Sequence, residues 1–275
     1  MITLDIVSTG IWSPLCANWQ AFSDGINACS WDFDAVLKPG MIPPRERRRA
    51  PQSVKMAVEV LDQACTAAAL DPATAAVVFS SAMGDMQITD YMCRVLSASP
   101  RLVSPIRFHN SVHNATTGYW SIASHAHTAT NAVSAFEYTA PMAFMEAACQ
   151  ASEDGMPVLL VTQEMAAPRT LHAICPSDQP FSLAFLLAKP RRCENPLAKV
   201  AFSVETKTAE WPEFPGDLKL AFADNFGAGL LPLAATIAAS RFKEATQPAD
   251  IEFPVSQGSC LRLSVSAPAY SSQIT

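Results

Sequence analysis

The sequence is poor in charge. Only 16% of its 275 residues are Asp, Glu, Lys or Arg, against 49% that are hydrophobic, and the formal net charge is -6. So few charges leave much apolar surface to bury, in the chain's own core or against a partner. There is no excess of cations, which argues against a nucleic-acid binder. Glycine is scarce, with 10 residues against 21 prolines, so long loops with fixed turns are expected. None of the eight cysteines pair as Cys-x-x-Cys, which argues against a zinc ribbon or a thioredoxin motif. Most lie in Ala-rich apolar stretches, where a free cysteine behaves as a small hydrophobe, so a reducing compartment is expected. Met1-Ile2-Thr3-Leu4-Asp5 has no basic region before an apolar run, unlike a signal peptide. The longest near-apolar stretch, 227–239, holds Pro232 and is shorter than the roughly 20 residues a bilayer span needs. A cytoplasmic protein without a membrane span is the expectation. Histidine is rare too, with five residues, all before position 173.

What is present is a series of short apolar runs alternating with helical patterns. Residues 2–8 alternate as a strand does, with Gly10 and Pro14 expected to end them. Residues 15–50 read as loop, anchored by Trp12, Trp19 and Trp31. A helix is expected at 52–69, with Val54, Ala57, Val58, Leu61 and Ala64 on one face and Asp71-Pro72 stopping it. Residues 75–81, 157–162 and 181–188 are continuous apolar runs, the mark of strands buried on both faces. Further strands are expected at 129–135, 199–207 and 260–266, and helices at 86–98, 111–126, 139–151 and 230–241. Buried strands alternating with helices imply a layered α/β fold. We expect one domain over 1–267 and a mobile polar tail at 268–275.

Several segments invite a chemical reading. His109 and His113 are four apart, as a metal pair on a helix would be, but no third ligand stands at metal-site spacing. The plainer reading is two polar residues at a helix end, and no metal or cofactor is expected. Ser81 and Ser134 each sit near a strand-to-helix turn, without the Gly-x-Ser-x-Gly of a nucleophile elbow. Cys149 lies mid-helix among alanines, with no cationic neighbour to lower its pKa. Asn225-Phe226-Gly227-Ala228-Gly229 weakly resembles an anion-binding loop, and a plain turn explains it as well. Arg45, Arg47, Arg48 and Arg49 form the only dense cationic run. It reads either as a solvated helix approach or as a landing site for an acidic partner.

One stretch is more specific. Ser104-Pro105-Ile106-Arg107-Phe108-His109-Asn110-Ser111-Val112-His113-Asn114-Ala115, continuing to Gly118, Ser121 and Ile122, resembles the N-terminal half of β-ketoacyl synthases. It is closest to the short, stand-alone ketosynthase-like chain length factors. Pro43 to Arg49, Ser80 to Asp85 and Asp154 to Val161 follow in the family's order, so the resemblance covers about residues 1–190. It implies a thiolase-like layered fold, of which this chain has essentially one half plus a short C-terminal extension. In the family, two catalytic histidines come from the second half and have no counterpart here. The family's nucleophile is a cysteine at a tight strand-to-helix turn. Placing the helix by Ala147-Ala148 and Gly155 puts Glu137 there, in a register that can slip by one residue. No cysteine lies within ten residues of it. A carboxylate cannot form the acyl thioester, although a glutamate at a helix N-terminus is also simply a favourable charge–dipole contact.

The resemblance therefore implies a non-catalytic chain length factor. It would form a heterodimer with a full-length β-ketoacyl synthase and shape the tunnel for an acyl or polyene chain, in aryl polyene or related biosynthesis. By the same resemblance Phe108, Val112, Thr116 and Trp120 are expected at the interface and tunnel, the alternative being that they fill this chain's own core. An acyl carrier protein with its phosphopantetheine-bound chain is the second expected partner, contacted through Arg45, Arg47, Arg48 and Arg49. Two rival readings stay open: an acyl-transfer, hydrolase or decarboxylase enzyme using Ser134 or Glu137, and a scaffold that only recruits carrier protein.

Overall fold

Strands that are apolar on both faces need a helix layer on each face, and this chain supplies both. The computed structural model describes residues 2–31, 35–193, 195–239, 242 and 244–268. The elements are β1 (Ile2–Trp12), α1 (Trp19–Ala28), α2 (Pro44–Arg47), α3 (Gln52–Ala67), β2 (Ala76–Ser80), α4 (Met86–Ala98), α5 (Pro105–His109), α6 (Ala115–Ser124), β3 (Thr130–Val133), α7 (Thr139–Glu153), β4 (Val158–Glu164), β5 (Phe181–Ala188), β6 (Ala198–Glu205), α8 (Leu218–Phe222), α9 (Leu231–Ala238), β7 (Ala249–Ser256) and β8 (Ser259–Ser266). The strands form an eight-stranded sheet in the order β3-β2-β4-β5-β1-β6-β8-β7. β3, β2 and β4 are parallel, and every other neighbouring pair is antiparallel.

Period-two alternation sorts the buried strands between the two faces. Val78, Leu160 and Phe185 point to one side, where α7, α9 and Phe22 of α1 cover them. Val77, Phe79, Leu159, Val161 and Leu186 point to the other, against α3 and against Tyr119 and Trp120 of α6. The fold is thus the layered α/β arrangement expected, one sheet between two helix layers. The C-terminal extension continues the same sheet: β6, β8 and β7 join it beyond β1, and α9 enters the core.

Several expectations need correction. β1 does not end at Gly10 but runs on to Trp12. Gly10 marks a close approach instead of a turn, because a Cβ there would stand 2.0 Å from the carbonyl oxygen of Val60 on α3. Residues 15–50 are not all loop. Asn18 caps α1 by accepting from the Ala21 N–H, and Pro44 starts the short α2. β7 was not expected, since Pro254 interrupts its pattern. It is an edge strand, where proline is tolerated. The helix expected over 111–126 begins only at Ala115, and α5 precedes it as a separate short helix. The expected mobile tail lies, from residue 269, outside the described residues.

Candidate functional site

In parallel sheets, turns into helices leave free N–H groups at the carboxyl edge, where open α/β folds bind ligands. Here that edge is made by the ends of β2, β3 and β4. The turn after β3 carries backbone strain. Phe136 has φ 52°, in the left-handed region that costs a non-glycine residue strain. Thr139 holds the turn in place. Its Oγ1 accepts from the Ala135 N–H at 2.8 Å and donates to the Phe136 carbonyl at 2.6 Å. A short 3-10 turn, Phe136–Tyr138, then feeds α7.

The strained residue is therefore Phe136, one position before Glu137, and neither carries a thiol. The Phe136 ring packs on Phe226 with centroids 4.9 Å apart. Glu137 is half-buried and borders a cavity of about 470 Å³ walled by Trp211, Phe214, Phe226, Glu210, Glu213 and Asp224. Tyr138 stacks on Trp211 at 6.4 Å and 11°. Its hydrogen bond with Glu137 pushes the phenol above its usual range.

Beneath this turn lies a buried carboxylate that the sequence reading missed. Glu164 ends β4 fully shielded from solvent. It accepts from Ser81 Oγ at 3.0 and 3.2 Å, from the Ala82 N–H at 2.8 Å and from the Met83 N–H at 3.4 Å. Burial outweighs these hydrogen bonds and pushes its pKa up to about 8. The only sequence signal for it is a Gln-Glu pair continuing an otherwise apolar strand. Ser81 also accepts from the Gly84 N–H at 2.8 Å, and His113 Nε2 lies 2.8 Å from the Ser81 carbonyl. The 81–85 turn is thus fixed from three sides.

The serine readings gain little from this geometry. Ser81 has a carboxylate beside it, but both residues are wholly buried and no substrate reaches them. Ser134 donates its proton to the Ala82 carbonyl at 3.0 Å, which cannot serve as a base. His109 closes α5 while His113 lies in the following turn, so they share no helix face. Among the described residues no group of three or more His, Cys, Asp or Glu is placed to hold a metal. Cys149 is exposed, and partial burial with Glu146 and Glu153 nearby pushes its thiol pKa up, away from reactivity. The 225–229 segment is no anion loop. The N–H groups of Gly227 and Ala228 are already bound by Asn225 Oδ1, at 2.9 and 3.2 Å.

The four expected interface residues divide into two pairs. Thr116 and Trp120 are buried, Trp120 completely, in this chain's own core beside α3. Phe108 and Val112 are exposed. They share no continuous helix, because the chain breaks between α5 and α6. Their surroundings were not anticipated. α4 buries only Met86, Ile88 and Asp90, all in its first half. From there the chain carries Leu96, Leu102, Ile106 and Phe108 into solvent, with Leu102 71% and Phe108 62% exposed. Beyond α6 the chain enters β3, which has no further strand neighbour among the described residues. Of the arginine run, Arg45, Arg48 and Arg49 are exposed. Arg47 is engaged inside the chain, donating to the carbonyls of Ile42 and Gly40 at 2.8–3.1 Å. No helix among the described residues is long and apolar enough to cross a membrane.

The family model described as β-ketoacyl synthase, N-terminal domain, matches residues 19–222. No curated protein matches the chain. Among solved structures it is similar to a chain of the ketosynthase ApeO in complex with its chain length factor ApeC from Xenorhabdus doucetiae. That match has 22% identity and a TM-score of 0.66, over 96% of this chain and 100% of that one. It is similar also to a chain of the ishigamide ketosynthase/chain length factor, with 13% identity and TM-score 0.71 over 96% and 99%. A β-ketoacyl synthase from Burkholderia phymatum STM815 matches at 11% identity and TM-score 0.71, over 98% and 100%. At these identities the likeness is one of fold, and the fold is the thiolase-like one of ketosynthase domains.

Proposed function

The chain belongs to the β-ketoacyl synthase family, through its N-terminal domain, and on that premise we propose that it is a non-catalytic subunit of the chain length factor kind. It pairs with a full-length β-ketoacyl synthase and helps shape the tunnel in which an acyl or polyene chain grows, in aryl polyene or related biosynthesis. The observation that carries this reading is the apolar arm, Leu96 to Val112. Side chains of that size left in water are a cost unless a partner covers them. β3, which has no further strand neighbour among the described residues, also offers unpaired backbone groups to a partner.

The turn before α7 supports the non-catalytic part of the reading. By the resemblance, the position of the family's thiol falls on Glu137, one residue after the strained Phe136, and no cysteine lies within ten residues of it. His113 is tied to the Ser81 carbonyl. The exposed Arg45, Arg48 and Arg49 suit an acidic acyl carrier protein bearing its chain on phosphopantetheine. Arg47 is left out of that contact, since it braces the 40–42 loop.

Phe108→Asp tests the arm. The side chain is exposed in the isolated chain, so its melting temperature should not change. Affinity for the ketosynthase is expected to fall roughly 30-fold or more, as at an interface hot spot. Unchanged affinity, measured by titration calorimetry, would remove Phe108 from the interface and the arm from the argument.

A further inference from the structure

Residues 91–136 contain no aspartate or glutamate, in a chain with 25 of them. The same segment holds the exposed Leu96, Leu102, Ile106, Phe108, Val112 and Ile122. It also carries three arginines. Arg94 is paired with Asp90, whose other oxygen accepts from Thr170. Arg107 lies over the ring of Tyr91 at 4.1 Å and has no ion pair among the described residues. Arg101 is exposed and likewise has none. The carboxylate beside β3, Glu146, is already held by Asn131 and Gln150. In a protein of net charge -6 this segment thus exposes apolar side chains together with two arginines, Arg101 and Arg107, that have no counter-charge within it.

We infer that this face selects its partner by charge: it fits a protein surface whose apolar patch is bordered by carboxylates, and it rejects a second copy of this chain. The inference rests on the pairing proposed above and adds the chemistry of the partner's face. In a two-fold pairing of the face with itself, each copy offers the same segment to the other. Every arginine from it then meets a segment without aspartate or glutamate, loses water and gains no ion pair from it in return. Against a carboxylate-bordered face, Arg101 and Arg107 make charge-assisted hydrogen bonds that speed encounter and fix register. Heterodimer and homodimer therefore answer salt in opposite directions. Screening weakens the first and relieves the repulsion that opposes the second.

The test uses the full chain and the full-length β-ketoacyl synthases of the same genome, with affinity measured from about 0.05 M to about 0.5 M salt. Wild type is expected to bind its ketosynthase more weakly as salt rises. Arg101→Glu with Arg107→Glu should weaken the low-salt complex about tenfold or more and invert the salt slope. Arg101→Gln with Arg107→Gln should fall between. Both sites are exposed, so an unchanged melting curve confirms that the variants fold. Wild type alone, followed by analytical ultracentrifugation, should self-associate more strongly as salt rises. The inference is overturned if the double glutamate variant binds with wild-type affinity and slope, or if the wild-type homodimer tightens as salt falls. If wild type binds none of the ketosynthases at any salt, the pairing reading itself fails, and the self-association arm still decides whether the face rejects its own copy.

Discussion

Gly227→Ala is expected to destabilise the chain by about 3–5 kcal/mol, or roughly 10 °C in melting temperature. The added Cβ would stand 2.4 Å from the carbonyl carbon of Gln163, 2.5 Å from the nitrogen of Glu164 and 2.9 Å from the Gln163 oxygen. All three are backbone atoms of β4, so no rotamer change relieves the clash. The turn cannot withdraw cheaply either. Thr162 Oγ1 donates to the Gly227 carbonyl at 2.7 Å. Asn225 braces the turn from its other side, donating to Ser177 Oγ at 2.9 Å and to the Gln179 carbonyl at 2.8 Å. Retreat would break that buried set and leave polar groups unpaired. A variant melting within about 2 °C of wild type, by calorimetry, would show that the 225–229 turn is looser than described.

Between about pH 4.5 and pH 8, stability should fall as pH rises, and Glu164→Gln should remove most of that slope. Glu164 has its pKa raised by burial from 4.5 to about 8 in the folded chain. In that window the folded state holds a proton that the unfolded state has released. The stabilisation is therefore complete below about pH 4.5 and is lost as pH passes about 8. The shift corresponds to on the order of 5 kcal/mol across the window. Burial raises Asp5 and Glu59 in the same direction, so the comparison with the glutamine variant isolates Glu164. The amide can still accept from the Ala82 N–H, which should keep the 81–85 turn in place. Urea melts at pH 5, 6.5 and 8.5 check this. Parallel pH profiles for wild type and variant would mean that Glu164 ionises in the fold at an ordinary pKa.

The buried strands were readable because their chemistry admits one solution. Ala76–Ser80, Val158–Glu164 and Phe181–Ala188 are buried along their whole length, and continuous apolar runs say so directly. α1 and β7 were missed where that signal is diluted. α1 buries only Phe22 and Gly25, and β7 is half-exposed at a sheet edge. Trp120 shows a different limit. Its spacing from Thr116 suits an interface and a core equally, and only its complete burial assigns it to the core. Substituting it would report on folding before pairing. Phe136 could not be located as the strained residue, since a positive φ without glycine leaves no mark in sequence. Glu164 was hidden for a topological reason. Its main partner, Ser81, lies 83 residues away and meets it only because β2 and β4 are neighbours. The apolar arm was legible in part: Phe108 and Val112 were singled out, while Leu96, Leu102 and Ile106 drew no reading of their own, because exposure of single apolar residues leaves no mark in sequence.

The most direct test of the account is co-expression of the chain with a full-length β-ketoacyl synthase from the same genome, followed by size-exclusion chromatography with mass determination. The account predicts a one-to-one complex with the cognate synthase. It also predicts that Phe108→Asp in the same chain abolishes or sharply weakens that complex while leaving the chain folded. A chain that runs as a stable monomer or homodimer beside every such synthase would contradict it.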